Sequence, residues 1–179
     1  MKLIIARHGQ SEYNVLGLCN SDPTVRVPLT ALGAEQAGRL AEELRGRPFE
    51  MIFVSELERV QKTAEVVNRF HDVPVTVDAR LGDIRTGFES RSATEYQAAL
   101  AAAADPWNAR LGNGGESLRD VAARVGLFLE DLKARDLKEA LIITSLCPLQ
   151  ALRGLIENLD DPDIWDYEVG NSGYLTYDI

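Results

Sequence analysis

The sequence predicts an α/β three-layer sandwich with a mostly parallel sheet. Three observations predict it. Short apolar runs alternate with longer segments whose apolar residues recur at helical spacing, in the order strand, helix, strand, helix, strand, helices, strand, helix, strand. The first run, Leu3 to Ala6, is apolar throughout, as a strand buried on both faces is. The length of 179 residues suits one domain, and no repeat, low-complexity tract or linker divides residues 1–179.

Each element follows in order. Leu3 to Ala6 is a strand that stops at a charge and a glycine. Residues 9–29 carry Gly, Asn, Asp and Pro at intervals and read as a long loop, which in a compact domain is more often functional. Thr30 caps a helix running to about Arg45, with Leu32, Gln36, Leu40 and Leu44 along it. Phe49 to Val54 is a second strand. Ser55 opens a helix through Val60, Ala64 and Val67 to about Phe70, and Val73 to Val77 is a third strand. From Asp78 to Arg91 the chain is polar and irregular. Ser92 with Glu95 forms a capping-box pattern for a short helix that Ala98 to Ala104 continues and Asp105-Pro106 ends. After the flexible turn Asn113-Gly114-Gly115, Ser117 caps a long amphipathic helix with Val121, Val125, Phe128 and Leu132 on one face. Ala140 to Thr144 is a fourth strand, Leu149 to about Leu159 a helix, and Gly173 to Ile179 an alternating edge strand.

In such sheets, sites form just beyond the carboxyl ends of the strands. His8 lies just after the first strand, Ser55 and Arg59 after the second, and Ser145 after the fourth. Three strand ends therefore converge on one crevice.

Composition narrows what that crevice can hold. Hydrophobic residues make up 45% and charged residues 26%, the balance of a soluble globular chain. The net charge of -9 argues against nucleic acid or an anionic membrane as a partner. An anionic substrate then needs a local arginine cluster to attract it. Two cysteines, Cys19 and Cys147, make no disulfide framework, so a reduced, cytoplasmic setting is expected. The apolar run Leu3 to Ala6 is too short for a signal-peptide core, and no stretch approaches the roughly 20 apolar residues of a membrane span.

Neutral imidazole attacks phosphorus competently and forms a phosphohistidine. An adjacent guanidinium grips phosphate oxygens bidentately. Gly9 would leave room for a ligand to approach the backbone at His8. A lone His-Gly more often marks a histidine that merely supports its loop, but the surrounding residues reverse that judgement. The run Leu3-Ile4-Ile5-Ala6-Arg7-His8-Gly9-Gln10-Ser11-Glu12-Tyr13-Asn14 closely resembles the opening motif of the histidine phosphatase superfamily, the phosphoglycerate-mutase-like enzymes. Pro28 to Ala37 is similar to that family's entry to its first helix, Ser55 to Ala64 to its second arginine motif, and Gly114 to Leu118 to its entry to the long helix.

The resemblance implies His8 as nucleophile, Arg7 and Arg59 as clamps on the phosphoryl group, and Asn14 as a contact to substrate or phosphate. Phosphoryl transfer depends on positioning and charge neutralisation, which two arginines beside one imidazole can supply. No carboxylate or cysteine cluster suggests a metal site, and no cofactor is expected. The family normally places a glutamate as general acid after the third strand. Asp83 occupies that position here, one methylene shorter, with Glu89 as the alternative.

The larger departure follows the fourth strand. The family carries a second histidine there, and the matching stretch, Thr144-Ser145-Leu146-Cys147-Pro148, puts Ser145 in its place. Only one other histidine exists, His71, at the end of the helix before the third strand, where a surface or capping role is expected. A serine hydroxyl can still donate, but it is short and uncharged. Losing one preorganised donor costs about 10²–10³ in rate in comparable sites.

Cys147 to Arg153 fits Cys-x5-Arg, the signature of cysteine-dependent phosphatases. That chemistry needs a cradle of backbone amides, whereas Pro148-Leu149-Gln150-Ala151-Leu152 lacks glycine and loses one amide at proline. The expected function is therefore hydrolysis of a small phosphoester through His8. The alternatives are a catalytically impaired phosphate-binding protein and, given the short chain, less readily a mutase. Arg26, Arg85 and Arg91 lie in loops around the crevice and could read a second anionic group.

Overall fold

A computed structural model describes all of residues 1–179. Five strands form one sheet in the order β3-β2-β4-β1-β5: β1 Lys2–Arg7, β2 Met51–Val54, β3 Val75–Val77, β4 Glu139–Thr144 and β5 Tyr174–Asp178. β1 pairs in parallel with β4, β4 with β2, and β2 with β3, while β5 runs antiparallel along β1. The expected architecture and all five expected strands are present.

Successive strand residues point to opposite faces, and this alternation divides the core in two. Leu3, Ile5, Phe53 and Ile142 face one cluster with α5 (Leu118–Lys133) and α6 (Leu146–Glu157). Ile4, Ala6, Val54 and Ile143 face the other with α2 (Ala31–Leu44) and α3 (Glu58–Asn68). Helices thus cover both faces, which is why β1 and β4 are apolar at every central position.

The departures from expectation lie around the strand ends. The loop at 9–29 contains a helix, α1 Glu12–Leu16, closed by a capping box between Ser11 and Asn14 and ended by Gly17 in a left-handed conformation. Five residues are too few to show helical periodicity. Ser55 does not open α3. Leu57 stands at the N-cap, and the Ser55 hydroxyl accepts from the Leu57 N–H at 3.5 Å in the turn before it.

Within the irregular stretch after β3 sits a 3₁₀ turn, Ala79–Leu81, capped by Asp78. The short helix α4 spans Ala93–Ala101 and stops before Ala104. α6 begins at Leu146, three residues earlier than expected, because Pro148 is tolerated in a first helical turn. A further short helix, α7 Asp161–Trp165, has Pro162 in its first turn.

Candidate active site

The site is built on β1 and β4. His8 follows β1, and its N–H donates to the Thr144 carbonyl at 3.0 Å, tying it to the end of β4. Its side chain is only 2% exposed. Nδ1 lies 2.6 Å from the Gly9 carbonyl oxygen, so it carries the proton. Nε2 is then the lone pair, and Arg59 Nε donates to it at 3.1 Å. Burial first, and the positive charge of Arg59 second, push the His8 pKa well below the ordinary histidine value. The imidazole is therefore held neutral, in the tautomer whose unprotonated Nε2 accepts from Arg59.

Arg59 is the second residue of α3, and it is 4% exposed. Its Nη1 donates to Asn20 Oδ1, and its Nη2 donates to the Asn20 carbonyl at 3.0 Å. Nη2 also reaches Asp83 Oδ2 at 3.2 Å and Ser145 Oγ at 3.4 Å. One guanidinium thus brings together His8, Asp83 and Ser145, residues that follow three different strands. Arg7 ends β1 and donates through Nη1 to the Val169 carbonyl at 2.7 Å, and its buried Nε has no partner within the chain.

Asp83 is placed from behind. Arg124 of α5 donates to the carbonyls of Arg80 at 2.6 Å and Asp83 at 3.2 Å. Thr144 Oγ1 donates to the Leu81 carbonyl at 2.7 Å. The Asp83 carboxylate accepts from the Ile84 N–H through its other oxygen, and its side chain is 24% exposed. Glu89, the alternative acid, is engaged elsewhere. It accepts from Asn20 Nδ2 at 2.7 Å and from the Ser21 N–H at 2.8 Å, and so supports the loop that holds Arg59.

Asn14 Oδ1 accepts from the Ser11 N–H and from Asn171 Nδ2. With Arg59, Asp83 and Tyr96 it lines a cavity of about 180 Å³. Ser145 is the N-cap of α6, 1% exposed, and its hydroxyl makes no capping bond. The amide end of a twelve-residue helix therefore opens beside Arg59, an arrangement that favours an anion.

Gly9 has a different role from the expected one. A Cβ there would strike the carbonyl oxygen of Gly33, and a Cβ at Gly33 would strike that of Gln10. The two glycines let the turn after His8 lie directly on the first turn of α2.

The other candidates do not join this cluster. Arg26 pairs with Glu58, Arg85 with Glu116 and Arg91 with Glu95. His71 stacks on Phe49 at 4.0 Å. Cys147 lies inside the first turn of α6, where burial pushes its thiol well above the ordinary value. Arg153 turns away to Glu157 and the Asp163 carbonyl. The Cys-x5-Arg spacing is therefore not a phosphate cradle.

Three supporting residues escaped the sequence reading. Asn20 holds Arg59. Thr63 joins α3 to the turn after β1, accepting from the Gly9 N–H and donating to the Arg59 carbonyl. Asn171 donates to the His8 carbonyl at 3.1 Å. The only sequence signal for Asn171 was the turn-forming run Gly170-Asn171-Ser172-Gly173.

Known proteins resemble this chain in sequence and fold. The family model of the histidine phosphatase superfamily (branch 1) matches residues 3–179. An adenosylcobalamin/alpha-ribazole phosphatase of Salmonella typhimurium is 31% identical over 186 residues, covering 100% of this chain and 91% of that protein. The alpha-ribazole phosphatase of Shigella flexneri superposes with a TM-score of 0.86 at 27% identity, over 100% of this chain and 91% of that one. A mycobacterial glucosyl-3-phosphoglycerate phosphatase, solved with VO3, superposes with a TM-score of 0.82 at 26% identity, over 98% and 90%. With a family model matched over nearly its whole length and phosphatases among its relatives, the chain is a phosphatase belonging to the histidine phosphatase superfamily.

Proposed function

We propose that the protein hydrolyses small phosphomonoesters through a phosphohistidine on His8. The observation that carries this reading is the tautomer. Nδ1–H donates to the Gly9 carbonyl, and Nε2 is presented to Arg59 as an unprotonated acceptor.

An arriving phosphoryl group takes over the Arg59 N–H from His8 Nε2 and receives the free Nε of Arg7. Asp83 takes up a proton from solvent as the phosphoryl group displaces it from Arg59. Nε2 then attacks phosphorus, the bond from phosphorus to the ester oxygen breaks, and Asp83 gives that proton to the departing alkoxide. The imidazole becomes cationic, with Nδ1 still donating to Gly9. In the second step Asp83 takes a proton from water, the resulting oxygen attacks phosphorus, and the P–N bond breaks to release phosphate. The Ser145 hydroxyl stands beside Arg59, where it donates to a phosphoryl oxygen but adds no charge. Turnover is therefore slow relative to phosphate binding.

The direct test compares hydrolysis by wild type, His8→Ala and Ser145→His. His8→Ala abolishes turnover, and Ser145→His raises kcat, by up to about 10²-fold. Equal hydrolysis by wild type and His8→Ala, with phosphate still bound, overturns the reading and leaves a phosphate-binding protein. A mutase is disfavoured because Arg80 and Arg85, the cations nearest in sequence to Asp83, are paired with carboxylates, as is Arg91.

A further inference from the structure

Beside the phosphate cluster lies a larger cavity of about 640 Å³, within the usual range for small-molecule sites. It shares Asp83, Ile84 and Tyr96 with the smaller cavity that Arg59 lines, so the two adjoin along that ridge. A group bonded to the transferred phosphate would pass Asp83 and enter it.

Its walls are aromatic and aliphatic: Tyr96 and Leu100 of α4, Trp107, Leu118, Leu146 and Trp165. Trp107 and Trp165 are the only two tryptophans of the chain. The Trp165 indole N–H has no partner within the protein, so reorienting the ring breaks no hydrogen bond. Gln150 of α6 fixes the backbone on that side, donating to the carbonyls of Trp165 and Tyr167.

The charged lining is of one sign. Asp83, Asp163, Asp166 and Glu168 contribute carboxylates, and neither lysine nor arginine lines the cavity. A neighbouring polar cavity of about 360 Å³ does contain Arg80, Arg85 and Arg124. These are already paired, with Asp78 and Asp131, with Glu116, and with Glu116 again. A second phosphate or a carboxylate on the substrate would thus meet Asp163, Asp166 and Glu168, none of them in an ion pair, on one side and neutralised arginines on the other.

We propose that the alcohol half of the substrate carries an aromatic ring system, uncharged or cationic, seated in this tryptophan-lined cavity, and that esters bearing a second anionic group are discriminated against. The proposal rests on the hydrolase reading for the position of the phosphate. It concerns a different part of the molecule for its chemistry.

The test uses alkyl phosphates, so that the departing group is an aliphatic alcohol in each: 2-phenylethyl phosphate, glycerol 3-phosphate and 3-phosphoglycerate. The aromatic ester is expected to exceed both others in kcat/KM by about tenfold or more, mainly through KM. Trp165→Ala should shrink that ratio at least about fivefold. Should that variant fail to fold, Asp166→Lys with Glu168→Lys, both exposed, supplies the second reading: kcat/KM for 3-phosphoglycerate should rise.

Equal or inverted preference, an unchanged ratio in folded Trp165→Ala, or no gain from the charge reversal overturns the proposal. If no ester is hydrolysed, the hydrolase reading fails separately, and tryptophan emission decides the seat. A change on titrating 2-phenylethyl phosphate but not 3-phosphoglycerate supports the proposal, and the same response to both, or to neither, contradicts it.

Discussion

At the scale of the residue, catalysis depends on the state of one imidazole. Buried beside Arg59, His8 stays neutral below the pH at which an ordinary histidine titrates. The acid limb of kcat/KM attributable to His8 therefore falls below the usual histidine range, and a pH profile checks it. The same shift has a stability consequence. Below the ordinary value of 6.5 the unfolded chain binds a proton that folded His8 does not, so folding stability falls as pH drops through that window. Urea unfolding across pH 7.5 to 5.5 should show a shallower loss in His8→Asn than in wild type. Asn20 makes a second residue-level prediction. Its side chain and carbonyl both hold Arg59, so Asn20→Ala should lower kcat by about tenfold through misplacement of the clamp, while the fold persists.

At the scale of the element, the site depends on close seating of the turn after β1 against α2. Gly33→Ala forces a methyl group into the Gln10 carbonyl, which is backbone and cannot swing aside. The expected cost is about 1–3 kcal/mol of stability, read by chemical denaturation, with a parallel loss of turnover as His8 shifts. The long elements were legible in the sequence because apolar spacing over ten or more residues marks them, as in α5 with Val121, Val125, Phe128 and Leu132. The short ones were not. α1 and α7 have five residues each, and capping rather than periodicity defines them. His8, Arg59, Asp83 and Ser145 could be named from motifs and strand ends. Asn20, Thr63 and Asn171 could not, because their roles arise from contacts across 39, 54 and 163 residues of chain.

At the scale of the molecule, a chain of net charge -9 concentrates two buried or half-buried arginines where three strand ends meet. No helix is long and apolar enough to cross a membrane. Anion binding is thus local, and it links to folding. Phosphate at about a hundredfold over its Kd should add roughly 2.7 kcal/mol and raise the Tm by several degrees, and Arg59→Ala should remove that rise. Covalent transfer to His8 leaves a phosphohistidine that can be trapped. Rapid quenching of the protein during turnover of a phosphorus-labelled monoester should yield an acid-labile, alkali-stable label that maps to His8 and is absent from His8→Ala. A label on another residue such as Cys147, or continued hydrolysis by His8→Ala, would contradict the account.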